Sequence, residues 1–270
     1  MLIGNRNFEI GTHTYVMGIL NVTPDSFSDG GNYNQMDAAL RHVEKMIREG
    51  ADIIDVGGES TRPGYEQISE EEEIARVVPT IEQIKARFDI PVSLDTYKAS
   101  VAGAGICAGV DLINDIWGLK GDEKMAAVIA KSGVPCCLMH NRKEAVYMNY
   151  IQDVLADLEE TLAIAERAGI ARDKIMLDPG IGFAKTYEQN LFLLRELEAL
   201  HSFGCPVLLG TSRKSVIGLT LDVPATERVT GTVATTVMGV MKGCSFVRVH
   251  DIRENVEAIK MTEAILHAGR

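Results

Sequence analysis

The chain has 270 residues, of which 46% are hydrophobic and 6% aromatic, so it can bury a core built mainly from aliphatic side chains. Its formal net charge of −11 disfavours nucleic acid as a partner, because binding to a phosphate backbone requires a basic face. No apolar run is long enough to span a membrane, and no basic-then-apolar leader begins the sequence. We therefore expect a cytoplasmic protein that binds neither nucleic acid nor membrane.

The organisation of the chain is typical of one domain. No linker and no shift in composition divides it, and we interpret residues 1–270 as a single domain. The five cysteines are an odd number without C-x-x-C spacing, which indicates reduced, buried thiols rather than a disulfide framework.

Taken in order, the elements begin with residues 2–15, which are predicted to form a small hairpin with its turn at Gly11. From Tyr15 onward, a short apolar run repeatedly ends in polar residues and is followed by a helical pattern. The eight runs are 15–20, 52–56, 92–94, 112–113, 134–139, 175–177, 207–209 and 246–249. Helical spacing is clear over residues 150–169, where Gly169 ends the helix. The alternation predicts an α/β fold, a (β/α)8 TIM barrel with a short N-terminal hairpin, and a doubly wound open sheet is the alternative.

The connection after the first run is unusually long. The run stops at Asn21, a stretch rich in Thr, Pro, Asp, Ser and Gly follows, and a helical pattern begins only near Gln35. Strand-to-helix connections usually take about 2–6 residues. The extra length predicts a loop that closes over a site.

All eight runs end in polar or ionisable residues, and a TIM barrel carries its active site at these strand ends. The residues are Asn21, residues 55–59, Asp95, Asn114, Asp115, His140, Asn141, Asp178, residues 211–214, Arg248, His250 and Asp251. Helix capping explains some of them, but it does not explain why all eight runs end this way. We therefore predict one polar rim.

The rim residues divide by chemistry. Acceptor groups emerge directly from three apolar runs, at Asp95, Asn114 and Asp178. Buried carboxylates of this kind suit the N–H edge of a flat heterocycle. Cations that can meet an anion or stack on a ring are Arg62, Lys214, Arg248 and His250. The combination predicts a planar substrate that bears an anion.

Phosphate is the favoured anion, because residues 210–214 lead from a strand into a helix near the end of the barrel. The sequence contains neither a G-x-x-x-x-G-K-[ST] loop nor a G-x-G-x-x-G element. Six scattered histidines disfavour zinc, whereas Mg²⁺ held partly by substrate phosphates needs few protein ligands, and Asn21 with nearby carboxylates can supply them. Lys214 is interpreted as a charged donor, with a Schiff-base nucleophile as the alternative.

Six long motifs occur in order along most of the chain: NVTPDSFSDGG at 21–31, GADIIDVGGESTRPG at 50–64, SLDT at 93–96, LDPGIGF at 177–183, GTSRKS at 210–215 and VRVHD at 247–251. Together they closely resemble the dihydropteroate synthases, the sulfonamide targets of folate synthesis. The resemblance implies a (β/α)8 pterin-binding barrel and a homodimer. It also implies that 6-hydroxymethyl-7,8-dihydropterin diphosphate and 4-aminobenzoate are joined to 7,8-dihydropteroate with release of diphosphate.

The resemblance further implies a role for each matching residue. It assigns pterin binding to Asp95, Asn114, Asp178, Lys214 and Arg248, and diphosphate binding to Arg248 and His250. It assigns aminobenzoate binding to Thr61, Arg62, Pro63, Phe183, Lys214 and Ser215. Asn21 contacts Mg²⁺, and two loops, over residues 25–31 and 59–64, close the site. The residues expected to carry catalysis are Asp95, Asp178, Lys214, Arg248, His250 and Arg62.

Two other functions compete with this hypothesis. The related pterin-binding barrels of corrinoid methyltransferases grip a pterin in a similar way, but the first loop and residues 211–214 suit a diphosphate leaving group better. A non-catalytic pterin-binding protein would keep the pocket without the chemistry, and the presence of Arg62, Lys214 and Arg248 argues against it.

Overall fold

The computed structural model describes residues 1–23, 32–59 and 67–269. In this part of the chain the strands are β1 (Leu2–Ile3), β2 (Arg6–Asn7), β3 (Tyr15–Asn21), β4 (Ile53–Gly57), β5 (Val92–Asp95), β6 (Leu112–Asp115), β7 (Cys136–Met139), β8 (Ile175–Asp178), β9 (Leu208–Leu209) and β10 (Phe246–Val249). The helices are α1 (Asn32–Glu49), α2 (Glu70–Arg87), α3 (Ala99–Cys107), α4 (Met125–Ser132), α5 (Tyr150–Ala168), α6 (Tyr187–Arg195), α7 (Ser215–Leu221), α8 (Val229–Met241) and α9 (Ile252–Leu266).

Strands β3 to β10 form one parallel sheet, in the order β8-β7-β6-β5-β4-β3-β10-β9. A parallel bridge between Leu177 and Val207 joins the two outer strands and closes the ring. Each of the eight predicted runs is therefore a barrel strand, with small differences at the ends. The prediction of a TIM barrel is confirmed, and the doubly wound alternative is wrong.

The predicted N-terminal hairpin is present, but its turn is not at Gly11. Ile3 pairs with Arg6, so the two-residue turn is Gly4-Asn5. Gly4 has a φ of +59°, which a β-carbon disfavours, and a Cβ there would lie 2.7 Å from Asp111 Oδ1. The turn therefore needs glycine both for its backbone conformation and for its close approach to the barrel.

Two sets of buried side chains alternate along the barrel strands. One set packs between the sheet and the helices, and includes Val16, Ile54 and Ile113. The other fills the barrel and consists of Met17, Ile53, Leu112, Cys137, Met176, Leu208 and Phe246, with Ile3 and Phe8 of the hairpin region packed beneath them. Because successive strand side chains point to opposite faces, this alternation fixes which later residues point into the barrel.

Two details of the sequence prediction are wrong. Helix α1 begins at Asn32 rather than near Gln35, because the first helical turn needs no apolar side chain and accommodates polar residues. Cys107 is exposed, whereas the other four cysteines are buried as expected and none of the five is in a disulfide. Cys107 ends α3 on its outer side, so a neighbouring apolar run does not by itself imply burial.

Helix α5 ends as predicted. Gly169 follows its last residue with a φ of +87°, the left-handed conformation that terminates many helices. The predicted closing loops, at residues 25–31 and most of 59–64, lie outside the described residues. No helix in the described part of the chain is long and apolar enough to cross a membrane.

Candidate active site

The alternation of the barrel strands carries six polar residues to the mouth of the barrel. Asn21, Asp55, Asp95, Asn114, Asp178 and Arg248 each continue the inward-pointing set of their strand by steps of two. Asp115 has the opposite orientation and accepts hydrogen bonds from the backbone N–H groups of Trp117 and Leu119, at 2.8 and 2.7 Å. Asp115 therefore stabilises a turn, and Asn114 belongs to the rim.

Arg248 is the centre of the first cluster. Its Nε donates to Asp55 Oδ2 at 2.5 Å, and its Nη2 donates to Asp95 Oδ2 at 2.7 Å. Asn114 Nδ2 also donates to Asp55 Oδ2, at 3.2 Å. One guanidinium therefore links strands β4, β5 and β10 across the mouth of the barrel.

Burial and neighbouring charges shift the pKa values of the ionisable groups in this cluster. Burial raises the pKa of Asp95 to about 7, although the neighbouring Arg248 opposes the shift. Burial opposes the charge on Arg248 as well, but Asp55 and Asp95 outweigh it and raise the pKa of Arg248. Among the described residues, Asp95 Oδ1 is buried without a hydrogen-bond partner, and so is Asp55 Oδ1. A ligand with an N–H edge beside Asp95 would satisfy such an acceptor.

Asp178 and Lys214 form the second cluster. Asp178 Oδ1 accepts from the backbone N–H of Gly180 at 2.7 Å. A Cβ placed on Gly210 would lie 3.4 Å from Asp178 Oδ2 and 3.8 Å from Lys214 Nζ, so the glycine leaves room between the acid and the base. Burial raises the pKa of Asp178 and lowers that of Lys214 to about 8, and the two charges stabilise each other.

The loop after β8 positions the side chain of Lys214. Its Nζ donates to the carbonyl oxygen of Ile181 at 2.5 Å and lies 4.7 Å from the centre of the Phe183 ring. This geometry is that of a hydrogen-bond donor. Ser215, the first residue of α7, follows Lys214 and is exposed.

His250 stands at the start of the last helix, immediately before the N-terminal cap Asp251 of α9. Its Nδ1 and backbone N–H both contact Ser212 Oγ, at 2.9 and 3.1 Å. Beside it, Arg213 forms a two-bond ion pair with Asp251, with Nε 2.9 Å from Oδ2. The N-terminus of a helix and nearby donors favour an anion here.

The described residues fit a Mg²⁺ ion only if the substrate supplies most of its ligands. No group of three or more His, Cys, Asp or Glu side chains within 1–23, 32–59 and 67–269 could hold a metal. Asn21 ends β3 at the rim, where a Cβ on Gly57 would lie 3.6 Å from Asn21 Oδ1 and 3.9 Å from Asp95 Oδ2. One amide oxygen is a suitable ligand for an ion that is otherwise bound by diphosphate and water.

Two features of the site were not predicted as functional. The sequence identifies Asp55 only as part of a polar strand end, yet Asp55 binds both Arg248 and Asn114. The available signal is a carboxylate inside an otherwise apolar run. Lys185 contacts His140 and the loop after β8, and no sequence signal marked it. Three residues assigned by resemblance, Thr61, Arg62 and Pro63, lie outside the described residues.

Comparison with known proteins agrees with this geometry. The family described as pterin binding enzyme matches residues 17–250. The dihydropteroate synthase of Clostridium beijerinckii is 62% identical over 98% of this chain and 99% of its own length. The chain belongs to the dihydropteroate synthase family.

Solved structures of dihydropteroate synthases share the fold. That of Clostridium difficile, determined in the presence of pteroic acid, is 49% identical, covers 96% of this chain and 99% of its own, and has a TM-score of 0.94. That of Xanthomonas albilineans with 4-aminobenzoic acid is 40% identical, covers 96% of this chain and 95% of its own, and has a TM-score of 0.91. As a dihydropteroate synthase, the chain is a transferase of folate biosynthesis.

Proposed function

We propose that the chain joins 6-hydroxymethyl-7,8-dihydropterin diphosphate to 4-aminobenzoate, with the pterin bound between the two clusters of its rim and the aminobenzoate beside the second. The observation that carries the proposal is the buried acceptor Asp95 Oδ1, unpaired among the described residues and next to the guanidinium of Arg248. The relatives solved with pteroic acid and with 4-aminobenzoic acid support both halves of this assignment.

In this proposal the pterin lies between the clusters. Asp95, Asn114 and Asp178 bind the N–H groups and ring nitrogens of its amino-pyrimidine edge, and Lys214 donates to its carbonyl. Arg248 lies over the ring plane, held there by Asp55 and Asp95. The buried carboxylates also favour the positive charge that develops on the ring as the leaving group departs.

The diphosphate is placed at the opposite side of the pterin, against His250 and Arg248 at the N-terminal end of α9. Asn21 would contact a bound Mg²⁺ ion, which would supply positive charge to neutralise the leaving diphosphate. Loss of diphosphate leaves an electron-deficient methylene carbon, the aniline nitrogen attacks it, and the nitrogen then releases one proton to diphosphate or solvent. An aniline is uncharged at neutral pH, so the protein needs to position it rather than deprotonate it.

The aminobenzoate site is proposed around Phe183, Lys214 and Ser215, together with Thr61, Arg62 and Pro63. Phe183 and Lys214 are already in contact, so a ring packed on Phe183 brings its substituent close to a cation. Water must be kept from the methylene carbon, because a water molecule would compete with the aniline nitrogen to attack this carbon.

The experiment that tests the proposal measures diphosphate release with and without 4-aminobenzoate. We expect release to depend on the pterin diphosphate and to be accompanied by an equal amount of dihydropteroate when aminobenzoate is present. Release without condensation would contradict the assigned reaction. Ligand-dependent thermal stabilisation without any release would instead support the non-catalytic alternative.

The proposed metal contact makes a separate prediction. Replacing Asn21 with Ala is expected to raise the Mg²⁺ concentration that gives half-maximal turnover by about 10-fold, because one of few protein ligands is lost. A Mg²⁺ titration of turnover at saturating substrates measures this. Asn141→Ala is a matched control, since it removes an amide from a different part of the rim. An unaltered titration for Asn21→Ala would remove Asn21 from the metal site.

Three expectations stay predictions: a single pterin-binding domain over residues 1–270, a cytoplasmic location and a homodimer. Exposed apolar side chains on α7 and α8, at Leu219, Leu221, Met238 and Met241, support the last of these.

A further inference from the structure

Lys185 forms a cluster of contacts that the proposed chemistry does not use. Its Nζ lies 2.9 Å from the carbonyl oxygen of Gly180, 3.0 Å from that of Phe183 and 2.9 Å from His140 Nδ1. Two of these acceptors are in the loop after β8, and the third is at the end of the neighbouring strand β7. The Nζ atom of Lys185 therefore ties the loop to the barrel.

The hydrogen bonds of this cluster determine which nitrogen of the His140 ring carries the proton. Because Lys185 donates to His140 Nδ1, the imidazole carries its proton on Nε2 and donates it to Asp157 Oδ2 at 2.9 Å. Burial lowers the pKa of His140 to about 4, which keeps the ring neutral and Nδ1 available as an acceptor. Arg142 binds both oxygens of Asp157, with Nε 2.6 Å from Oδ2 and Nη2 3.1 Å from Oδ1.

One residue of the loop that Lys185 holds has an unfavourable backbone conformation. Gly180 and Gly182 have φ values of +72° and +85°, which glycine adopts readily, but Ala184, which has a β-carbon, has a φ of +42°. Strained residues persist where surrounding contacts over-determine them. Here Lys185 holds Gly180 and Phe183, and the Tyr147 hydroxyl donates to the Ala184 carbonyl at 2.9 Å.

The same loop presents two groups to Lys214. The Ile181 carbonyl and the Phe183 ring contact Lys214 Nζ from the segment whose backbone Lys185 binds. Lys185 and Lys214 therefore hold the loop in different ways: one fixes its backbone to β7, and the other uses its inner face within the site.

We propose that Lys185 is a positioning residue that sets the aminobenzoate subsite, by holding the Phe183 ring and the Ile181 carbonyl where Lys214 and the substrate meet them. The inference rests on the proposed roles of Phe183 and Lys214. Asp95 and Asn114, on β5 and β6, bind other partners and do not depend on this loop.

The experiment compares Lys185→Met with Lys185→Arg and the matched control Lys174→Met. Lys174 also donates to a backbone carbonyl, that of Gly133, but it precedes β8 at the opposite end of the barrel. We expect Lys185→Met to raise KM for 4-aminobenzoate by about 10-fold or more. KM for the pterin diphosphate should rise by a clearly smaller factor, because Asp178 and Lys214 also bond to this loop whereas Asp95 and Asn114 do not. Lys185→Arg should recover part of this loss, and Lys174→Met should leave both constants unchanged.

Two further measurements keep the test decisive. Amide hydrogen exchange across residues 178–186 should be faster in Lys185→Met than in the parent protein. Tyr147→Phe, which removes only the hydroxyl, should raise KM for aminobenzoate in the same direction by a smaller factor, and it provides the test if Lys185→Met does not fold. An unchanged KM for aminobenzoate in a folded Lys185→Met, or equal rises in KM for both substrates, would overturn the proposal. Failure of the parent protein to form dihydropteroate would refute the proposed function instead.

Discussion

Replacing Arg248 with Met is expected to cause the largest combined loss of stability and activity. The change leaves Asp55 and Asp95 buried without the guanidinium that bonds to both. Removing one partner of a buried ion pair costs about 3–5 kcal/mol of unfolding free energy. Loss of a preorganised charge at the reacting ring should lower kcat/KM by about 100- to 1,000-fold. Urea unfolding and steady-state kinetics measure the two effects.

The stability loss in Arg248→Met should also depend on pH in a defined direction. Burial already raises the pKa of Asp95 to about 7, and removing Arg248 takes away the main group that opposes this shift. A carboxyl group whose pKa is raised by folding binds protons more readily in the native state, so native stability falls as pH rises through that pKa. The deficit relative to the parent protein should therefore be smaller at pH 5 than at pH 8.

Two comparisons isolate the cause. Arg253→Met makes the same chemical change at an exposed position of α9, where the guanidinium lies 4.0 Å from Glu49, and should cost little. Adding Asp55→Asn to Arg248→Met removes one of the stranded charges and should restore part of the stability. A loss below about 1 kcal/mol, or a deficit that grows as pH falls, would show that the cluster does not depend on Arg248 in this way.

Replacing Asp178 with Asn is expected to weaken binding of the pterin diphosphate by about 2–4 kcal/mol, or roughly 30- to 1,000-fold in Kd. The amide oxygen of Asn can still accept from the Gly180 N–H that Asp178 Oδ1 binds, so the loop is preserved. At the position of Oδ2, however, an acceptor becomes an N–H donor that faces the donors of the pterin. Isothermal titration calorimetry measures the change.

Asp173→Asn is the matched control for this substitution. Asp173 lies just before the same strand, at the other end of the barrel, and it is exposed. The control makes the same change in charge without touching the mouth, so its Kd should equal that of the parent protein. Equal affinities for Asp178→Asn and Asp173→Asn would refute the assigned pterin contact.

The fold could be predicted from the sequence because its signals are local. Each barrel strand is an apolar run between polar segments, as in Ile53–Gly57 and Phe246–Val249, and each interruption can be located without knowing any partner. The predicted element boundaries were wrong where the local sequence pattern gives no clear signal. The first turn of α1, residues 32–35, has one aromatic residue, Tyr33, among amide side chains and so gives little indication of where the helix starts. A left-handed glycine suits the turn after Ile3 as well as the one near Gly11.

The candidate site could be predicted only in part. The sequence of a strand that is buried on both faces gives little indication of which side chains point into the barrel. Barrel strands are buried on both faces and therefore lack the alternation of apolar and polar residues that distinguishes the two sides. Asn114 and Asp115 are adjacent and equally polar, yet register places the first in the mouth and turns the second outward. Asp55 could not be recognised as the partner of Arg248, since 193 positions separate them.

By itself, then, the sequence determined the class of fold, the order of its strands and the polar residue types that end them, because hydrophobic burial and motif spacing are properties of contiguous residues. The tertiary structure decided which of those polar groups are paired: Arg248 with Asp55 and Asp95, Lys214 with Asp178, and, through a hydrogen bond to a neutral imidazole, Lys185 with His140. The physical reason is that closing the barrel brings remote strand ends within hydrogen-bond distance in a medium of low dielectric constant, where each charge requires a partner.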